Sequence, residues 1–257
     1  MSSPLILDID GGIARITLNR PEKLNSISLD MAGQFTAAVE ELKHRQDVAV
    51  VVLEAAGETF CAGGDVSEMA AAGDRPDFIG ELAATMHSGL AELAELPVVT
   101  IAALKGAVRG GGIGLALAGD LCIAGRSVTF RAAYSAVGLS PDCGLTATLA
   151  ASIGMHRTLK FVILNEVMSA ETAAELGLVA EVVEDAEVDR RVAEIAASIA
   201  SGAWRAAGES RRVIRSAPGH TLPEQLAREE SAIIGRVADE EAGIRLDAFQ
   251  SKVKVSQ

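Results

Sequence analysis

The chain has 257 residues, 49% hydrophobic but only 3% aromatic, so Ala, Val, Leu and Ile must fill a core large enough to exclude general disorder. Its 35 acidic against 23 basic residues give a net charge of −12, which argues against a nucleic-acid partner; a local basic patch for a phosphorylated small molecule remains compatible. Three cysteines, Cys61, Cys122 and Cys143, have no CxxC spacing, which fits neither a disulfide framework nor a structural zinc site and suits a reducing, cytoplasmic setting.

The N-terminal "MSSPLILDIDGG" has no basic stretch followed by a long apolar one, so no signal peptide is expected. "LILDIDGGIARITLNRP" reads as two strands around a Gly-Gly turn. In "SISLDMAGQFTAAVEELKHRQD", Met31, Phe35, Ala38, Val39 and Leu42 share one face of a helix. "VAVVVLEAAG" is a continuous β-branched run, as in a strand buried on both faces. "ETFCAGGDVSEMAAAG" is a loop entering a helix, with Asp65 and Glu68 at capping-box spacing. Residues 77–95 form another helix, and "PVVTIAALKG" a second buried strand. The apolar stretches before Lys105 and before Asp120 fall short of the roughly 20 residues a membrane span needs, so no membrane partner is expected. A helix runs to about Ala118, and "DLCIAGRSVTFR" gives two short strands. The repeated strand–helix order through residue 183 indicates an α/β class. From about Val188 the chain is helical and charged. A boundary near 190 divides a core, 1–190, from a helical region, 191–257, that packs on the core or on a neighbouring subunit.

Two glycine turns, "CAGGD" (61–65) and "RGGG" (109–112), each follow a buried strand and open a helix. Helix N-termini offer unpaired N–H groups, and glycine lets a ligand approach them. Two such ends aimed at one point make an oxyanion hole; taken singly, each is an ordinary tight turn. Neither completes a nucleotide-binding fingerprint.

Six strings in order, among them "ITLNRPEKLNSIS", "VVVLEAAGETFCAGGD", "PVVTIAALKGAVRGGGIGLALAGD" and "VGLSPDCG", resemble the crotonase (enoyl-CoA hydratase/isomerase) superfamily, from about residue 5 to 252. The resemblance implies a spiral of repeated ββα units and a C-terminal helical trimerisation region, assembled as a homotrimer or a hexamer of two trimers. It also implies an acyl-CoA thioester substrate, with CoA part of the substrate and no separate cofactor. By position, the amides of Gly64 and Gly111 form the oxyanion hole, and Ala62 and Tyr134 border the substrate. Lys23 and Leu24 lie against the CoA nucleotide, with Phe249 and Lys252 of a neighbouring subunit near the adenine and 3′-phosphate; Lys252 also reads as a solvated tail residue.

Hydratases of the family use two glutamates, whose positions here are Gly114 and Tyr134. Glycine transfers no proton, and a tyrosine with a pKa near 10 is a poor base. The acid left in place is Asp142 of "SPDCG", where isomerases of the superfamily carry a catalytic aspartate. It reads either as the proton shuttle of a Δ3-to-Δ2 double-bond shift through an enolate, or as the cap of a helix from Leu145. The enzyme alternative is a hydratase with a non-standard acid–base group, and the third reading a degenerate CoA-thioester binder. Asp65 reads as a helix cap and Asp120 as a structural turn residue. Cys61 and Cys143 flank the site without an obvious histidine partner, although His87 could approach the acyl pocket. Arg109 reads as binding a polar acyl tail or as pointing to the surface. No metal-ligand cluster is visible.

Overall fold

A computed structural model describes the backbone of residues 3–255 and the side chains of residues 3–251. An antiparallel hairpin, β1 (Leu5–Asp10) and β2 (Ile13–Leu18), opens the chain. From β2 the chain passes through an extended segment at Ile27 into α1 (Leu29–Lys43), whose first turn is capped by the Ser28 hydroxyl accepting the Met31 N–H. Each later turn of the spiral repeats this path from strand to short extended segment to helix. β3 (Val50–Ala55) leads through residues 61–64 to α2 (Val66–Ala71) and α3 (Arg75–Glu95). β4 (Val99–Leu104) leads through β5 (Ala107–Arg109) to α4 (Gly111–Leu117). β6 (Leu121–Gly125) leads through β7 (Thr129–Arg131) and a 3-10 turn at Tyr134–Val137 to α5 (Leu145–Ile153) and α6 (Met155–Leu164). β8 (Val167–Ser169), α7 (Ala170–Glu175) and β9 (Glu181–Val183) close it.

The first strand of each turn joins a six-stranded sheet of order β1-β2-β3-β4-β6-β9, parallel from β2 onward. The second segments form a smaller sheet, β5-β7-β8, extended by isolated parallel pairings of Cys61 with Val108 and Ile27 with Gly64. The fold is thus the α/β spiral that the sequence leads one to expect.

Burial on both faces explains the continuous apolar runs. Val51 and Leu53 face the larger core, where Phe35 and Val39 of α1 and Leu82 and Met86 of α3 pack. Val50 and Val52 face the opposite side, sealed by Val188, Val192 and Ala196 of α8 (Val188–Ser201). α9 (Trp204–Ser216) docks through Arg211, which is almost fully buried. Its guanidinium donates to both Asp120 carboxylate oxygens at 2.7–2.8 Å and to the carbonyls of Leu93, Ala94 and Leu96. Asp120 also accepts the Thr100 N–H and an Arg215 N–H. The turn residue read from sequence is therefore the anchor between the helical region and the sheet. α10 (Leu222–Val237) and α11 (Glu240–Val255) follow, with Leu226, Ile233, Ile234, Val237, Ile244 and Leu246 exposed.

Candidate active site

Register explains the centre of the site. Cys61 and Val108 are paired in parallel, and Gly64 and Gly111 each stand three residues further on, so the two turns run side by side. They touch at Gly63 and Gly110, both at positive φ. A Cβ on Gly63 would lie 3.1 Å from the Arg109 carbonyl oxygen and 3.5 Å from the Gly110 Cα, so both positions need glycine. Gly64 precedes α2 by two residues, and Gly111 is the first residue of α4. Among the described residues, no hydrogen bond occupies the N–H of either. Both line one cavity of about 260 Å³.

The Asp65 carboxylate caps α2 by accepting the Ser67 and Glu68 N–H groups, and it meets Arg20 at 2.9 Å. Burial opposes its ionisation, but the Arg20 guanidinium and these amides outweigh that and hold it below the usual carboxylate range. The expected reciprocal capping box does not form, because the Glu68 carboxylate accepts the Leu29 N–H instead and ties α2 to α1.

One wall of the cavity carries the polar groups. Asp142 is the only acid among the described residues that line it. Its carboxylate does not cap α5: the Leu145 N–H goes to the Asp142 main-chain oxygen, and Gly144 is the N-cap. Instead the Tyr134 hydroxyl donates to Asp142 Oδ1 at 2.5 Å. Burial, then the Asp142 charge and this bond, push the Tyr134 phenol well above its ordinary range. Cys143 follows at φ +52°, and its N–H donates to His87 Nε2 at 3.0 Å. The partner of His87, on α3, is thus the Cys143 main chain and not its thiol, a contact too far apart in sequence for spacing to reveal. Donor atoms of His87, Asp142 and Cys143 lie within 4.8 Å of one another, a grouping invisible in the sequence. Two of the three already serve the bonds just described.

Gly114 has the tightest surroundings. A Cβ there would overlap the Cys143 carbonyl oxygen and lie 2.6 Å from the Cys143 Cβ. A carboxylate at this position has no room.

The residues assigned to CoA divide into two groups. Leu24, at φ +51° and exposed, gives its carbonyl to the Ala62 N–H, joining the loop that carries Lys23 to the CAGGD turn; Ala62 lines the cavity, whereas Lys23 and Leu24 do not. Phe249 is exposed on α11, and the side chain of Lys252 lies outside the described residues. Arg109 is outside the cavity lining, its guanidinium bonded to the Thr129 main chain and hydroxyl.

The enoyl-CoA hydratase/isomerase family matches over residues 8–255. The chain belongs to this family. Its relatives carry different names, isomerase and hydratase among them. It is 33% identical over 252 residues to the 1,2-epoxyphenylacetyl-CoA isomerase of Escherichia coli, covering 96% of this chain and 95% of that protein. The crystal structure of an enoyl-CoA hydratase from Bacillus anthracis superposes with a TM-score of 0.91 at 28% identity, over 97% of this chain and 96% of that one. A Thermobifida fusca structure solved in complex with acetoacetyl-CoA gives a TM-score of 0.84 at 29% identity, over 92% and 95% of the two chains.

Proposed function

We propose that this crotonase-family enzyme moves the double bond of an acyl-CoA thioester from the β,γ to the α,β position, with Asp142 as the proton shuttle. The observation that carries the reading is a cavity lined both by two glycines whose amides have no partner among the described residues and by a single carboxylate. The thioester oxygen takes the Gly64 and Gly111 N–H groups. Asp142 removes a proton α to the carbonyl, the charge passes to that oxygen as an enolate, and the carboxylic acid returns the proton at the γ carbon. Such donors are worth about 3–4 kcal/mol each at a developing oxyanion. Tyr134 holds one carboxylate oxygen and leaves the other for substrate.

Two-glutamate hydration is disfavoured by the space at Gly114, and the phenol of Tyr134 stays protonated. The Escherichia coli isomerase relative is consistent with an acyl-CoA isomerisation, and the acetoacetyl-CoA complex of a structural neighbour supports an acyl-CoA thioester as the ligand. The exposed apolar residues of α10 and α11 support assembly as a homotrimer or a pair of trimers, which would bring Phe249 and Lys252 to a neighbour's site.

The test offers 3-enoyl-CoA and 2-enoyl-CoA separately. The expected product is 2-enoyl-CoA from the first, with no hydroxyacyl-CoA from the second; rapid hydration of the second overturns the reading. Asp142→Asn should lower the rate by roughly 10²–10⁴-fold while leaving CoA affinity nearly intact. A loss of only a few-fold moves the shuttle elsewhere.

A further inference from the structure

The cavity is chemically two-sided. Tyr134, Ser140, Asp142 and Cys143 lie along one wall, the segment after β7. The lining residues from α2 and α3 include Val66, Met69, Ile79, Leu82 and Met86, and none of the lining residues from these helices has a polar side chain. The cavity rim adds Val137 and Leu139, both exposed. Along the α2 and α3 side, an acyl tail therefore meets no lining side chain that could pair a hydroxyl or a carboxylate, and burying either unpaired is costly. The volume bounds its size. An apolar cavity of about 150 Å³ holds benzene, and on that scale 260 Å³ holds about ten carbons, counted from the thioester carbon at the glycine amides.

One residue of the apolar wall also borders the oxyanion position. The terminal methyl of Met69 fills the space that a Cβ on Gly64 would take. Met69 is only partly buried, on the six-residue α2, and its unbranched thioether can repack around ligands of different shape. It is thus the point where tail bulk meets the thioester-binding amides.

We propose that Met69 is the specificity-determining residue of this chamber, which selects wholly apolar acyl groups up to about ten carbons, straight-chain or arylacetyl. This rests on the acyl-thioester reading above but not on isomerisation, because saturated acyl-CoA esters probe the chamber without reacting.

The test is calorimetric binding of saturated acyl-CoA esters from acetyl to hexadecanoyl, with phenylacetyl-CoA and the carboxyl-terminated adipyl-CoA, to the wild type, Met69→Ala and Met69→Phe. Affinity should tighten about fourfold per methylene until near decanoyl and then level off. Phenylacetyl-CoA should match octanoyl-CoA, and adipyl-CoA should bind more weakly than hexanoyl-CoA. Met69→Phe should move the levelling point to shorter chains and Met69→Ala to longer ones. A levelling point unmoved in both variants overturns the role of Met69. Adipyl-CoA binding as tightly as hexanoyl-CoA, or affinity indifferent to length, overturns the substrate class. Failure of every acyl-CoA to bind overturns the thioester reading and this inference with it. Ordered binding without double-bond shift in the enoyl assay overturns the isomerase reading alone.

Discussion

Tyr134, at a position where the family resemblance leads one to expect a carboxylate in a hydratase, is a hydrogen-bond donor in this structure. Its hydroxyl donates to Asp142 Oδ1 at 2.5 Å, and burial, together with the Asp142 charge, raises the phenol pKa. The group therefore stays a hydrogen-bond donor at neutral pH. A hydrogen bond to a charged group is worth about 1.5–3 kcal/mol. Removing it in Tyr134→Phe should therefore lower kcat at neutral pH by about tenfold if roughly half of that acts in the transition state. Turnover of 3-enoyl-CoA by the two proteins decides the matter. An unchanged kcat would mean that Tyr134 only fills space.

At the scale of elements, α4 and the segment before α5 meet more tightly than substrate chemistry alone would require. Every residue of α4 is buried, and Gly114 presents its Cα to the Cys143 main chain. Gly114→Ala should destabilise the protein by more than the 1–3 kcal/mol typical of overpacking, because the obstacle is backbone. At about 2–4 °C per kcal/mol for a chain of this size, the melting temperature should fall by several degrees. Gly114→Glu should fail to fold or remain inert in hydration. A stable Gly114→Glu protein that hydrates 2-enoyl-CoA would reverse the assignment. This contact also marks what was legible in the sequence. Strands β3 and β4 were readable because burial on both faces forces unbroken β-branched runs, and α1 because its five apolar positions share one helical face. The two glycine turns were readable because only glycine serves at a helix mouth that approaches another backbone. The bond from Cys143 to His87 and the place of Met69 against Gly64 were not, because both join different turns of the spiral, and no local periodicity encodes a contact between turns. The role of Asp142 stayed open in sequence because a Pro-Asp-Cys-Gly turn serves a cap as well as a base. Only the fold shows where its carboxylate points.

For the whole molecule, association and core chemistry give separate tests. α8 is spent on the sheet and α9 is held by the Arg211–Asp120 pair, whereas the apolar side chains exposed on α10 and α11 have no cover within the described residues. Sizing in solution should return three or six chains, and a stable monomer would contradict the proposed assembly. The core, for its part, contains three buried thiols. Burial pushes Cys61 and Cys122 up to about 12, and it raises Cys143 together with the neighbouring Asp142 charge. An unfolded thiol ionises near 8.5. Between that value and the folded one, the folded chain holds more protons than the unfolded chain, so stability falls as pH rises. The contribution is intact below about pH 8.5, and each thiol then removes up to about 1.4 kcal/mol per pH unit. The melting temperature should therefore fall steeply from pH 9 to 11. Cys122→Ala should start lower at pH 7, having lost a buried side chain, but fall less steeply over the same interval. Thermal unfolding followed across that range distinguishes the outcomes: parallel curves for the two proteins would show that ionisation of Cys122 does not limit alkaline stability.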